Sequence, residues 1–208
     1  MNNFNEIKLQ GVVVHKFTTD KVAILTISVA GNDGNFDYPK VVFLGEDIEN
    51  IKENYFEGDK VRVEGLIQSS RFNENIKNQT LLSIRGKEIR KYEGLIKESF
   101  PEDLKDLADA GSSGIEYDNK FRVSGNLVKV KKVSDNVVRL TVSALVDGKI
   151  SYVILTDFVT NADEVVEELS GKTYLWAVGR VQTSKKDYED GTKYFENYVV
   201  SGFCASES

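Results

Sequence analysis

Residues 64–72 read EGLIQSSRF and residues 178–186 read VGRVQTSKK, 114 positions further on. In each, a glycine, an aliphatic residue, a glutamine, one or two hydroxyls and a cation follow in the same order. Followed outward, the match persists. LQGVVV (9–14) aligns with VSGNLV (123–128) at the same offset, and LTIS (25–28) with LTVS (140–143) at 115. KVVFL (40–44) aligns with SYVIL (151–155) at 111, a difference that one shorter loop in the second copy would explain. Gly86 and Gly202 close the apolar runs LLSIRG and YVVSG at an offset of 116. Five blocks in one order identify a duplicated unit.

Within each unit the apolar period is mostly two. VAILTISVA, KVVFLG and DKVRVEGLIQSS are β-branched and bounded by Gly, Asp and Asn, which predicts strands and turns. One segment per unit breaks the pattern. Residues 45–59 place Ile48, Ile51 and Tyr55 at helical spacing, and residues 160–172 do so with Val165, Val166 and Leu169. Asp163 and Glu164 suit the start of the second helix, and Gly171 suits its end. Three strands, a helix and two strands in about 90 residues is the order of the five-stranded OB barrel. The expected fold is therefore mainly β: two tandem five-stranded OB barrels, each with a helix between its third and fourth strands. The expected domains are 1–93 and 119–208, joined by an acidic, partly helical linker over 94–118, with Pro101 at a first turn and Gly111 at a stop.

Charge fits that division. The 208 residues carry a formal net charge of −6. Residues 1–93 hold 13 basic and 14 acidic side chains, and residues 119–208 hold 12 of each. Residues 94–118 hold two lysines against seven acids, so the excess negative charge sits in the linker and a basic groove is permitted on either flanking unit. No apolar run approaches the roughly 18 residues of a membrane span. The first residues, MNNFNEIKLQG, lack the pattern of a signal peptide, and the single Cys204 suits a reducing compartment. The expected location is the cytoplasm.

EGDKVRVEGLIQSSRF (57–72) resembles the fourth-strand signature of bacterial single-stranded DNA-binding proteins, roughly K-G-x-x-V-x-V-E-G-x-L-x-[ST]-x-x-[aromatic]. FDYPKVVFLGEDIENI (36–51) resembles their third strand and the start of their helix. SGNLV (124–128) and GRVQTSKKDYEDGTKYFENYVVSGF (179–203) resemble their first strand and their last hairpin. The resemblance implies single-stranded DNA laid across β-surfaces, bases stacked on aromatic rings and phosphates met by Lys and Arg. On the first unit it implies roles for Tyr38, Lys40, Arg71, Phe72 and Lys77. On the second it implies Lys149, Tyr152, Lys185, Lys186, Tyr188, Lys193 and Tyr194, with Lys186 in the place of Phe72. There Ile150 replaces the third-strand aromatic, leaving Tyr152 as the nearest ring. Such proteins work as assemblies of four barrels, so the resemblance implies a homodimer. They also end in an acidic partner-recruiting tail. This chain stops at VVSGFCASES, so recruitment through a tail is not expected; a phage or mobile element supplying its own strand-binding protein would suit that pattern.

No enzyme is expected. His15 is the lone histidine, no Cys/His cluster offers a metal site, and no phosphate-cradling glycine loop occurs. No cofactor follows from the residues. Trp176 shares a strand face with Val178, Arg180 and Gln182 and is assigned to an interface, away from the hairpin. The expected function is sequence-nonspecific binding and protection of single-stranded DNA in replication, recombination or repair. A protein-interaction module of the primosome type remains the alternative, favoured by the near-neutral units and by Gln68 and Ser70 where cations are common.

Overall fold

The alternating residues become strand almost everywhere that the computed structural model describes, namely residues 4–30, 35–71, 80–92, 119–146, 148–188 and 191–207. By compactness the chain divides into unit 1 (Met1–Glu6, Leu66–Ser83, Lys120–Ser208) and unit 2 (Ile7–Gly65, Ile84–Asn119). The expected linker and its helix, 94–118, lie outside the described residues.

Unit 2 takes most of β1 (Asn5–Thr18), then β2 (Ala23–Ala30), β3 (Phe36–Asp37), β4 (Lys40–Phe43) and α1 (Asp47–Asn54). It also holds the inner halves of β5 (Lys60–Arg71) and β6 (Thr80–Lys91). β1 pairs antiparallel with β5 from Ile7↔Gly65 to Val12↔Lys60, and with β2 from Val12↔Ser28 to Thr18↔Ala23. The register slips between Val13 and His15, so Val14 is the extra residue of a β-bulge. Such a bulge bends a strand, and here it lets one strand serve two neighbours. β2 continues to β4, β4 runs parallel to β6 at Val41↔Ile84, and β6 adjoins β5, so the pairings close in a ring. Leu9, Val13, Leu25, Ile27, Val41, Val61 and Ile84 fill it. α1 turns Ile48 and Ile51 into the core, and Tyr55 follows them, its hydroxyl donating to Ile89 O at 2.9 Å.

Unit 1 contains β7 (Asn119–Ser134), β8 (Val137–Val146), β9 (Lys149–Phe158), α2 (Ala162–Glu168), β10 (Tyr174–Tyr188) and β11 (Gly191–Ser206). β7 pairs with β10 from Phe121↔Gly179 to Asn126↔Tyr174, then with β8 from Asn126↔Ser143 onward. Its register slips at Val128, 114 residues after Val14. β8 pairs with β9, β9 lies parallel to β11 at Leu155 and Thr156, and β11 pairs with β10, closing a second ring of pairings. Phe121 meets the buried Tyr198 edge-on, with centroids 6.1 Å apart.

The glycines of EGLIQSSRF and VGRVQTSKK meet one shared constraint. A Cβ on Gly65 would lie 2.4 Å from Arg85 O, and one on Gly179 would lie 2.0 Å from Val199 O. A neighbouring carbonyl thus occupies the space that any side chain would need.

α2 starts at Asn161, whose Oδ1 accepts from Asp163 N at 3.1 Å and whose Nδ2 donates to Glu164 Oε1 at 2.8 Å. Gly171, expected at the stop, takes φ +76° just beyond it. Asn161→Ala removes the cap from a helix of seven residues. It is expected to lower the stability to urea by about 1 kcal/mol.

Candidate nucleic-acid interface

In unit 2 the third-strand residues keep one register across a break. Val29 pairs with Asp37 in β3 and Thr26 with Lys40 in β4, with no slip between the two pairs. Pro39 causes the break because it has no N–H, although its carbonyl still accepts from Ile27 N at 3.0 Å. Asp37, Pro39, Val41 and Phe43 point inward and are buried. Tyr38, half-buried, and Lys40, exposed, share the outward face as expected.

In unit 1 the same pairing identifies the counterpart residues. Leu25 of LTIS pairs with Val41, and Leu140 of LTVS pairs with Leu155. Val41 therefore corresponds to Leu155, Tyr38 to Tyr152, and Phe36 to Ile150. The strand-three offset is 114, which corrects the 111 drawn from KVVFL and SYVIL. The two values differ by an odd number, and an odd slip exchanges the faces of a strand. It would have matched exposed Lys40 with buried Ser151. Tyr152 is thus the equivalent of Tyr38, and Ile150 stands in the place of Phe36.

Tyr152 is 45% exposed and lies opposite Ser143; two residues away, Ile150 is 65% exposed and faces the exposed Leu145 across the β8–β9 hairpin. Of these, Leu145, together with the exposed ring of Phe195 on β11, was not singled out from sequence. Their signal was an apolar residue at an outward strand position. Lys149 is exposed beside the turn but out of phase with Tyr152 by one residue.

Along β10 and β11 the backbone pairs Lys185 with Tyr194, Lys186 with Lys193 and Tyr188 with Gly191. Arg71 ends β5. Phe72 and Lys77 lie outside the described residues. Trp176, 37% exposed on β10, pairs with Cys204 on one side and Ser124 on the other.

One acid is displaced from the ordinary. Asp157 holds the place on β9 that Phe43 holds on β4, and it is buried. Burial raises its pKa, and the charge of Glu168 raises it further. Folding therefore favours the protonated form. Stability from this group is full below the ordinary carboxylate range and is lost as pH rises towards the raised value. Asp157→Asn is expected to raise the thermal midpoint at neutral pH and leave it unchanged at acidic pH, measured by circular dichroism melts across pH.

Among the described residues, no group of three or more His, Cys, Asp or Glu is arranged to hold a metal, and no helix is long and apolar enough to cross a membrane. No family model matches the chain, and no curated protein matches it. Its fold is that of solved single-stranded DNA binding proteins. The wild-type protein from Thermus aquaticus overlaps 100% of this chain and 95% of its own, with TM-score 0.62 and 15% identity. A deletion mutant of that protein overlaps 99% of this chain and 96% of its own, with the same TM-score and identity. A mitochondrial single-stranded DNA binding protein from S. cerevisiae overlaps 42% of this chain and 94% of its own, at 21% identity and TM-score 0.36.

Proposed function

We propose that the chain is a tandem of two OB barrels, 1–93 and 119–208 with 94–118 as linker and a helix between the third and fourth strands of each. Its function in this reading is to bind and protect single-stranded DNA without sequence preference, as a non-catalytic partner of replication, recombination or repair. The observation that carries it is the matched outward place of Tyr38 and Tyr152, 114 residues apart, on a fold shared with single-stranded DNA binding proteins.

Stacking is worth about 1–3 kcal/mol per base and tolerates every base, because each has a π-face; a closed duplex withholds those faces. Tyr38, Phe72, Tyr152, Tyr188 and Tyr194 supply rings. Lys40, Arg71, Lys77, Lys149, Lys185, Lys186 and Lys193 supply phosphate contacts, whose release of counterions makes binding weaken with salt. At about 4–16 nucleotides per barrel, one chain covers on the order of 8–30. Two chains would supply four barrels, so the solution mass is expected near twice the 23.3 kDa of one chain.

A duplex melting experiment tests the proposal. A protein that captures single strands lowers the melting temperature of a short DNA duplex, and lowers it further as its concentration rises. An unchanged or raised melting temperature would contradict the reading.

A further inference from the structure

The edge of β9 at Ser151 and Tyr152 is covered in an unusual way. On one side β9 pairs with β8 over its whole length, from Lys149 to Phe158. On the other, the described pairing with β11 is confined to Leu155 and Thr156. At Tyr152 the missing backbone partner is replaced by the side chain of Ser69, on the portion of β5 that belongs to unit 1. Tyr152 N donates to Ser69 Oγ at 3.0 Å, Ser69 N donates to Ser151 Oγ at 2.8 Å, and the two hydroxyls lie 3.0 Å apart. Ser151 is 4% exposed, so these bonds are shielded on one side and reinforce one another.

Ser69 is itself held in place. Leu66 and Ile67 just before it are buried. Asn5, also in unit 1, grips Ile67 with both ends of its amide: Nδ2 donates to Ile67 O at 2.8 Å, and Oδ1 accepts from Ile67 N at 2.9 Å. Phe4 is fixed in turn to β7, its N donating to Ser124 Oγ at 2.7 Å and its O accepting from Ser124 N at 2.8 Å. The strand that carries Ser69 therefore reaches Tyr152 on a buried, hydrogen-bonded stem. It then continues two residues to Arg71.

We infer that Ser69 is a positioning residue for Tyr152, so that β5 of the first repeat and the third strand of the second act on one bound DNA strand. The inference rests on the single-strand-binding reading. An exposed ring on an unpaired strand edge loses contact energy if its backbone moves, because stacking requires a parallel approach. Ser69 holds that backbone through the Tyr152 amide.

The test is a thermodynamic cycle on the full chain with labelled oligo-dT. Ser69→Ala is expected to weaken binding about threefold to tenfold, the range that one lost hydrogen bond spans. It should have no further effect when Tyr152→Ala is already present. Ser69→Thr, which keeps the hydroxyl on a residue suited to strands, should restore binding. The Tyr152 amide should exchange its hydrogen faster in Ser69→Ala than in the parent. If Ser69→Ala populates unfolded chain, Ser151→Ala serves instead and should give a smaller loss of the same kind. Equal losses in both Tyr152 backgrounds, or parent-like binding with a still-protected Tyr152 amide, would overturn the inference while leaving strand binding intact. Failure of the parent to bind oligo-dT would overturn both.

Discussion

Replacing Tyr38 and Tyr152 together by alanine is expected to weaken binding to oligo-dT by at least about 30-fold, since each ring contributes about 1–3 kcal/mol and tenfold is about 1.4 kcal/mol. Both occupy outward third-strand positions, half-buried for Tyr38 and 45% exposed for Tyr152, so neither fills a core and removal leaves no cavity. The unfolding midpoint should therefore move little while affinity falls. Anisotropy titrations beside urea melts separate the two effects. Each single variant should lose binding, and Tyr152→Ala should lose about as much as Tyr38→Ala, because register gives the rings the same place. A second-repeat variant with unaltered affinity would mean that the two surfaces are not equivalent in use.

The largest loss of stability is expected at Gly125. A Cβ there would lie 2.0 Å from Ser143 O and 2.9 Å from Ser143 C, both backbone atoms of the paired strand. The sheet must move to admit it, so Gly125→Ala should cost at least about 3 kcal/mol, at the upper end for overpacked sites. Gly11 faces the equivalent carbonyl, Ser28 O, at 1.9 Å and should behave alike. Gly202→Ala is the control. Its Cβ would meet only Val178 Cγ2, at 3.8 Å, an ordinary contact, and the change should stay within about 1 kcal/mol. Urea unfolding of the three variants measures all of this, and similar midpoints for Gly125→Ala and Gly202→Ala would refute the steric account.

That contrast also shows where sequence stopped informing. Gly86 and Gly202 looked like one repeated feature because both follow aliphatic runs. In the fold, Gly86 makes room for the Phe43 ring, 2.2 Å from where its Cβ would be, whereas Gly202 makes room for nothing comparable. The strands, the two helices and the glycine pair Gly65 and Gly179 were legible because period, caps and turn residues are local. The third-strand alignment was not, since KVVFL and SYVIL are interchangeable apolar strings and only hydrogen-bond register distinguishes an offset of 111 from 114. Tyr38 and Lys40 were legible as neighbours on one face, and Pro39 interrupts the ladder there without shifting it. Ser69 was invisible as a participant. A serine carries no role until the fold brings it to Tyr152, 83 residues away in sequence.

One titration tests the central claim most directly: fluorescence anisotropy of a labelled oligo-dT and of a matched duplex, with the parent protein at low and moderate salt. Tight binding of the single strand, weakened by salt and absent for the duplex, is the result predicted by rings that stack bases and lysines that meet phosphates. No change in anisotropy at micromolar protein would contradict it, and would point to a polypeptide as the ligand of these surfaces.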